Sequence, residues 1–132
     1  MGISTKRLIF IGFACQSNEI EATFLKRYSD YAYQETVNLY KGDPSSGNLI
    51  MTIQGYFYND WKQYAYPFCL KRDQSYYIEY YDSGNNGWSS GSCIQIIIGN
   101  TILFDGSLGS GSGGHDIFVY PSCQSDELEI TL

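Results

Sequence analysis

The chain has 132 residues, with 14 acidic against 8 basic side chains and a formal net charge of −6, and 13 tyrosines dominate its apolar share. That length suits one domain with a sizeable core. The acidic balance excludes nucleic acid and anionic membrane surfaces as partners, because both need a basic patch, and no apolar run reaches the ~20 residues of a membrane-spanning helix.

Aromatic and β-branched residues fit a pleated surface, and strong helix formers are scarce here, so the elements read as strands. Leu8–Ala14 is an apolar strand. It follows Lys6-Arg7 like the core of a secretion signal, but its Ile9-Phe10 recurs later, which favours a strand kept in the fold. Glu19–Leu25 alternates, with Ile20, Ala22 and Phe24 on one face and Glu19, Glu21 and Thr23 on the other. A turn at Tyr28–Tyr31 leads to an alternating strand at Gln34–Tyr40. Lys41–Gly47 is a turn, and Asn48–Ile53 pairs back as a hairpin. Gly55–Pro67 is aromatic without clean periodicity and reads as a long loop or irregular strand. Tyr76–Tyr81 is a strand, Asp82–Ser92 a polar loop, and Cys93–Ile98 and Thr101–Phe104 a hairpin around Gly99-Asn100. Gly106–Gly114 reads as a flexible connection, and Asp116–Tyr120 is the last strand. The fold class is all-β: an antiparallel β-sandwich, jelly-roll or Greek-key-like, of about eight strands.

The chain echoes itself. Cys15-Gln16-Ser17-Asn18-Glu19-Ile20-Glu21-Ala22-Thr23-Phe24 returns 108 residues later as Cys123-Gln124-Ser125-Asp126-Glu127-Leu128-Glu129-Ile130-Thr131-Leu132. At the same offset Ile9, Phe10 and Ile11 lie over Ile117, Phe118 and Val119. A fixed period marks a repeat architecture. Residues 1–14 then read as the end of a preceding repeat, 15–122 as one module, and 123–132 as the start of the next copy or a donor strand. On this reading Ile9, Phe10, Ile11, Ile20, Ala22, Phe24, Leu128, Ile130 and Leu132 belong to strands joining neighbouring copies.

Cys15, Cys69, Cys93 and Cys123 form no Cys-x-x-Cys pair, so zinc and thioredoxin-type readings are weak. Four scattered cysteines in a Tyr-, Ser- and Gly-rich chain point to an oxidising compartment, outside the cell or on its surface. Three pairings are open. If Cys123 repeats Cys15, each period holds three cysteines, and one is left unpaired or links copies.

Cys69-Leu70, Tyr76–Ser83, Asn86-Gly87-Trp88, the strand Cys93–Ile98 and the hairpin Gly99–Ile102 resemble a family of extracellular β-sandwich modules of protists, oomycetes, diatoms and marine bacteria, whose signature runs YDSxGDGW. Tyr33-Gln34-Glu35 and Lys41–Gly47 stand where the family has a Tyr/Glu pair and a polar turn. The resemblance covers most of residues 15–120. It implies a sandwich repeated in tandem in secreted or surface proteins, not itself an enzyme. Asp82, Asn86, Gly87 and Trp88 are the loop signature. The family's Gly-Asp-Gly-Trp is here Asn85-Asn86-Gly87-Trp88, one carboxylate fewer. Asp82 and Asp105 remain for calcium, which wants several oxygen ligands including carboxylates; the competing reading has Asp82 and Asn86 cap the loop through side-chain-to-backbone hydrogen bonds while Trp88 folds onto the sandwich.

No catalytic constellation emerges. His115 is the one histidine, beside Asp116, with no Gly-x-Ser-x-Gly elbow. The Gly/Ser loop lacks the Lys and helix of a phosphate cradle. Glu19 and Glu21 share a strand face and read as a solvated edge, and Lys26-Arg27 as a solvated strand end. The expectation is a non-enzymatic structural repeat that assembles head-to-tail with copies of itself by strand addition, without cofactor. The alternative is a carbohydrate-binding adhesion module using Tyr56, Tyr58, Trp61 and Tyr64 as its platform.

Overall fold

The computed structural model describes residues 14–120. Eight strands run in order: β1 (Glu19–Arg27), β2 (Glu35–Lys41), β3 (Leu49–Gln54), β4 (Gln63–Lys71), β5 (Ser75–Asp82), β6 (Cys93–Ile98), β7 (Thr101–Gly106) and β8 (Gly113–Val119). They form two four-stranded antiparallel sheets, β4-β1-β6-β7 and β3-β2-β5-β8. The all-β sandwich expected from composition is what the chain adopts. Only β2–β3 and β6–β7 are hairpins within one sheet; every other connection crosses between sheets.

Strand periodicity sorts the side chains. Ala22, Phe24, Phe68, Leu70, Ile94 and Ile96 point inward from the first sheet, and Val37, Leu39, Ile53, Tyr76, Ile78, Tyr80 and Phe118 from the second. Edge-to-face contacts join the layers, such as Phe68 with Tyr76 at 6.0 Å. Ile20 begins the same face as Ala22 and Phe24 but is 41% exposed, because it sits at the end of the sandwich.

Four expectations are corrected. Gly55–Pro67 is not one loop: Gly55–Phe57 is a single 3-10 turn, and β4 starts at Gln63. Pro67 falls inside β4, which tolerates it because β4 is an edge strand and alternate N–H groups there have no ladder partner. Glu19 and Glu21 divide: β6 pairs only with Thr23–Arg27, so this start of β1 has β4 alone beside it and Glu21 is exposed as expected, but Glu19 is half-buried, accepts the Gln16 N–H at 2.8 Å and lies 3.8 Å from Lys41 Nζ. Lys26 is not a solvated strand end: it continues the Ala22–Phe24 inward face and is fully buried, while Arg27 is exposed. The Gly106–Gly114 stretch is not a free connection. Leu108 is buried in the core, and Ser112, Gly111 and Leu108 carbonyls accept hydrogen bonds from Asp82, Gly87 and Trp88 N–H groups at 2.9, 3.0 and 2.8 Å.

The two ends of the sandwich differ. The long connections 28–34, 55–62, 83–92 and 107–112 gather at one end. The tight turns 42–48, 72–74 and 99–100 lie at the other. The described chain also enters and leaves at that second end, where Ser17, Lys71 and Tyr120 line a common groove and Asp73 N–H donates to the Tyr120 carbonyl at 2.7 Å.

Candidate binding face

The loop signature builds the loop end of the sandwich. Asp82 is buried, and its two carboxylate oxygens accept the backbone N–H groups of Gly84 at 3.3 Å and Asn86 at 2.8 Å. With its amide nitrogen turned to Asp82 Oδ2, the Asn86 side chain donates there as well. Gly87 has φ +81°, and a Cβ on it would lie 2.8 Å from the Gly109 carbonyl, so glycine is needed where the two loops meet. Trp88 turns inward, donates from Nε1 to the Tyr81 carbonyl at 2.9 Å and packs edge-on against Tyr80.

Beneath Trp88 lies a group that alternation alone places inward. Lys26 Nζ is 2.7 Å from Glu35 Oε1, both side chains almost wholly buried, and the ammonium lies 3.9 and 4.0 Å from the ring centres of Tyr28 and Trp88. A second N–H of the ammonium donates to the Arg27 carbonyl at 2.9 Å, and Glu35 Oε2 accepts the Ser89 N–H at 3.0 Å. Burial lowers the Lys26 pKa from 10.5 to about 8, against the opposing pull of Glu35. The pair links β1 of one sheet to β2 of the other and ties both to the signature loop.

Of the four cysteines, Cys15 and Cys69 are joined, with Cα atoms 5.5 Å apart. The bond fastens the lead-in of β1 to β4. Cys93 is a half-buried thiol whose pKa burial raises, with Asp105 adding to the effect. Cys123 lies outside the described residues, as do Ile9, Phe10, Ile11, Leu128, Ile130 and Leu132. Asp82 is spent on its own loop, and Asp105 on β7 accepts from Gln95 Nε2 at 3.3 Å. Among the described residues the one cluster with metal-ligand spacing is Cys15, Glu19 and Cys69, whose two sulfurs are bonded to each other.

The aromatic platform divides. Tyr58 and Tyr64 are half-buried, stacked with or edge-on to the buried Tyr28, and the Tyr58 hydroxyl bonds Tyr66 at 2.8 Å; they are packing residues. Tyr56 and Trp61 are exposed at the loop end, where Tyr31, Tyr33 and Phe57 join them. The Trp61 indole donates to Asp30 Oδ1 at 3.1 Å and Asp60 Oδ1 accepts the Ala32 N–H at 2.8 Å, so the two loops brace each other.

From Tyr33 and Tyr56 a groove of about 520 Å³ runs onto the outer face of the second sheet. Its floor is a cross-strand row that pairing brings together: Gln54 on β3, Thr36 on β2 and Tyr81 on β5. Gln34 and Ser83 add polar groups. The next row is Thr52, Asn38, Glu79 and His115. Glu79 Oε1 accepts Asn38 Nδ2 and the Tyr40 hydroxyl, each at 3.2 Å, while Thr52 Oγ1 donates to Asn38 Oδ1 at 2.7 Å. The Tyr81 hydroxyl is held above its ordinary pKa by a hydrogen bond to Glu79. Beyond, Tyr77 stacks on His115 at 4.7 Å and meets Tyr40 edge-on. This face was missed in the sequence, where Tyr40, Tyr77, Glu79 and Tyr81 read only as strand positions; pairing register and burial join them on one face.

This outer face offers exposed rings beside fixed amides, hydroxyls and one carboxylate. Comparison with known proteins gives no match: no family model, no curated protein and no solved structure aligns with this chain.

Proposed function

We propose that the protein is a carbohydrate-binding β-sandwich module of an extracellular or cell-surface repeat protein. One observation carries the reading: the outer face of the β3-β2-β5-β8 sheet sets exposed tyrosines beside prearranged amides, hydroxyls and a carboxylate along an open groove. Sugars present both chemistries, apolar C–H faces that stack on rings and hydroxyl edges that exchange hydrogen bonds. The disulfide is compatible with an oxidising environment. The groove opens at the loop end, away from where the described chain enters and leaves, so a module within an array presents it outward. Glycan-array screening of the oxidised chain, followed by titration calorimetry, tests the reading. Tyr81→Ala should lose at least about tenfold in affinity, about 1.4 kcal/mol, with little change in stability, since Tyr81 is 44% exposed. Absence of any glycan binding, or binding unchanged in Tyr81→Ala, overturns it.

A second reading is a structural repeat of a fibre, motivated by the echo of residues 15–24 at 123–132. β1 is flanked on both sides, by β4 and β6. A copy of it at 127–132 would therefore take the same central place in a following sandwich, which supports tandem repetition over addition to a completed sheet. If strands are exchanged between chains instead, negative-stain images show filaments. A monodisperse monomer at high concentration, unaffected by removal of residues 123–132, sinks strand exchange.

A further inference from the structure

We infer that the groove takes the interior of an uncharged, linear polysaccharide rather than a chain end or an acidic glycan. The inference rests on the carbohydrate reading above and adds the ligand's charge and the part of it that is gripped.

The charge argument comes from strand register. The outward positions of the four strands run Thr52 and Gln54 on β3, Thr36, Asn38 and Tyr40 on β2, Tyr77, Glu79 and Tyr81 on β5, and His115, Ile117 and Val119 on β8. No lysine or arginine occupies any of them, and none lines the groove. Glu79 is the one carboxylate on these positions, and its donors come from neutral groups of the protein, Asn38, Tyr40 and Tyr81. Asp82, at the groove's edge, is held by backbone N–H groups. A uronate or sulfate seated here would meet the Glu79 carboxylate and no lysine or arginine, with His115 opposite Glu79 already stacked on Tyr77, and removing its water would not be repaid. A neutral chain meets acceptors and donors suited to its hydroxyls.

The length argument comes from the placing of the rings. Tyr33 and Tyr56 stand at the loop end, Tyr81 lies in the floor, and Tyr77 with Tyr40 lies four residues further along the strands, about 13 Å away. Tyr56 is 75% exposed and Tyr33 59%, so the walls stand open and do not close into a blind pocket. A row of rings along an open face engages successive sugar units, whereas recognition of a chain end requires an enclosing wall.

The experiment titrates the oxidised wild-type chain with neutral β-linked gluco-oligosaccharides and N-acetylglucosamine oligosaccharides, from disaccharide to hexasaccharide, alongside uronic acid oligomers of the same lengths. The expected result is an affinity that rises at least about tenfold from disaccharide to hexasaccharide in one neutral series, with the acidic series weaker at every length. Glu79→Gln should shift the ratio of affinities toward the acidic series. Affinity that does not grow with length, or acidic oligomers that bind as tightly as neutral ones, overturns the inference while leaving Tyr81-dependent carbohydrate binding intact. No binding in any of these series overturns the inference, and no binding anywhere on the glycan array overturns the carbohydrate reading with it.

Discussion

Replacing Lys26 by methionine removes an ammonium that lies 2.7 Å from Glu35 and between the rings of Tyr28 and Trp88. At that distance the attraction is about 6 kcal/mol at an effective dielectric of roughly 20, and burial of both charges offsets much of it. The cost of the single change comes from what stays behind: Glu35, 1% exposed, with the Ser89 N–H as its remaining donor. An uncompensated buried charge of this kind costs about 3–5 kcal/mol. The methionine chain still fills the slot between the rings, so little of the loss is packing. Lys26→Met/Glu35→Gln removes both charges while Gln retains an acceptor for Ser89, and should return to within about 1–2 kcal/mol of wild type. Urea unfolding of the oxidised proteins, arranged as a double-mutant cycle, measures both. The pH dependence follows with a definite sign. The folded pKa of Lys26, about 8, lies below the ordinary 10.5. Between those values the unfolded chain holds more protons than the folded one, so this group's contribution to stability rises with pH. Measured against the double variant, wild type should gain stability from about pH 7 to about pH 9.5, below the range where tyrosines titrate. Lys26→Met within about 1 kcal/mol of wild type, or a pH slope of opposite sign, refutes the reasoning.

Two further outcomes concern how the ends are held. Cys15→Ser/Cys69→Ser opens a bridge spanning 54 residues and should cost up to about 4 kcal/mol in urea unfolding; a change under about 1 kcal/mol would mean that the bond does not constrain the unfolded chain as its span implies. Gly87→Ala must place a Cβ 2.8 Å from the Gly109 carbonyl at a left-handed φ, so about 2 kcal/mol should be lost and the Gly87-equivalent and Trp88 amides should exchange faster; unchanged stability and exchange would contradict the contact between the two loops.

Much of the candidate face was written in the sequence without being readable there. Tyr77, Glu79 and Tyr81 alternate with Tyr76, Ile78 and Tyr80, all but Ile78 polar or aromatic, so the pattern does not say which set faces out. Burial decides it: Tyr76, Ile78 and Tyr80 are enclosed by the opposite sheet. Tyr58 and Tyr64 show the same limit from the other side. A tyrosine in an irregular aromatic stretch looks available, yet the buried ring of Tyr28 recruits both. Lys26 was legible in principle, since a period of two from Ala22 and Phe24 points it inward; what its sequence neighbours do not contain is the partner, Glu35, on the other sheet.

The all-β class, most strand positions and the hairpin turns at Lys41–Gly47 and Gly99-Asn100 were legible in the sequence, because those features depend on residues a few positions apart. It took the packed fold to join Cys15 to Cys69, to place β1 inside its sheet, to hold Lys26 between two rings, and to bring Gln54, Thr36 and Tyr81 into one row. Register between strands distant in the chain is set by which side chains the core will accept, and a slip of one residue would turn each strand's faces over. No local pattern contains that choice; the packing of the two sheets makes it.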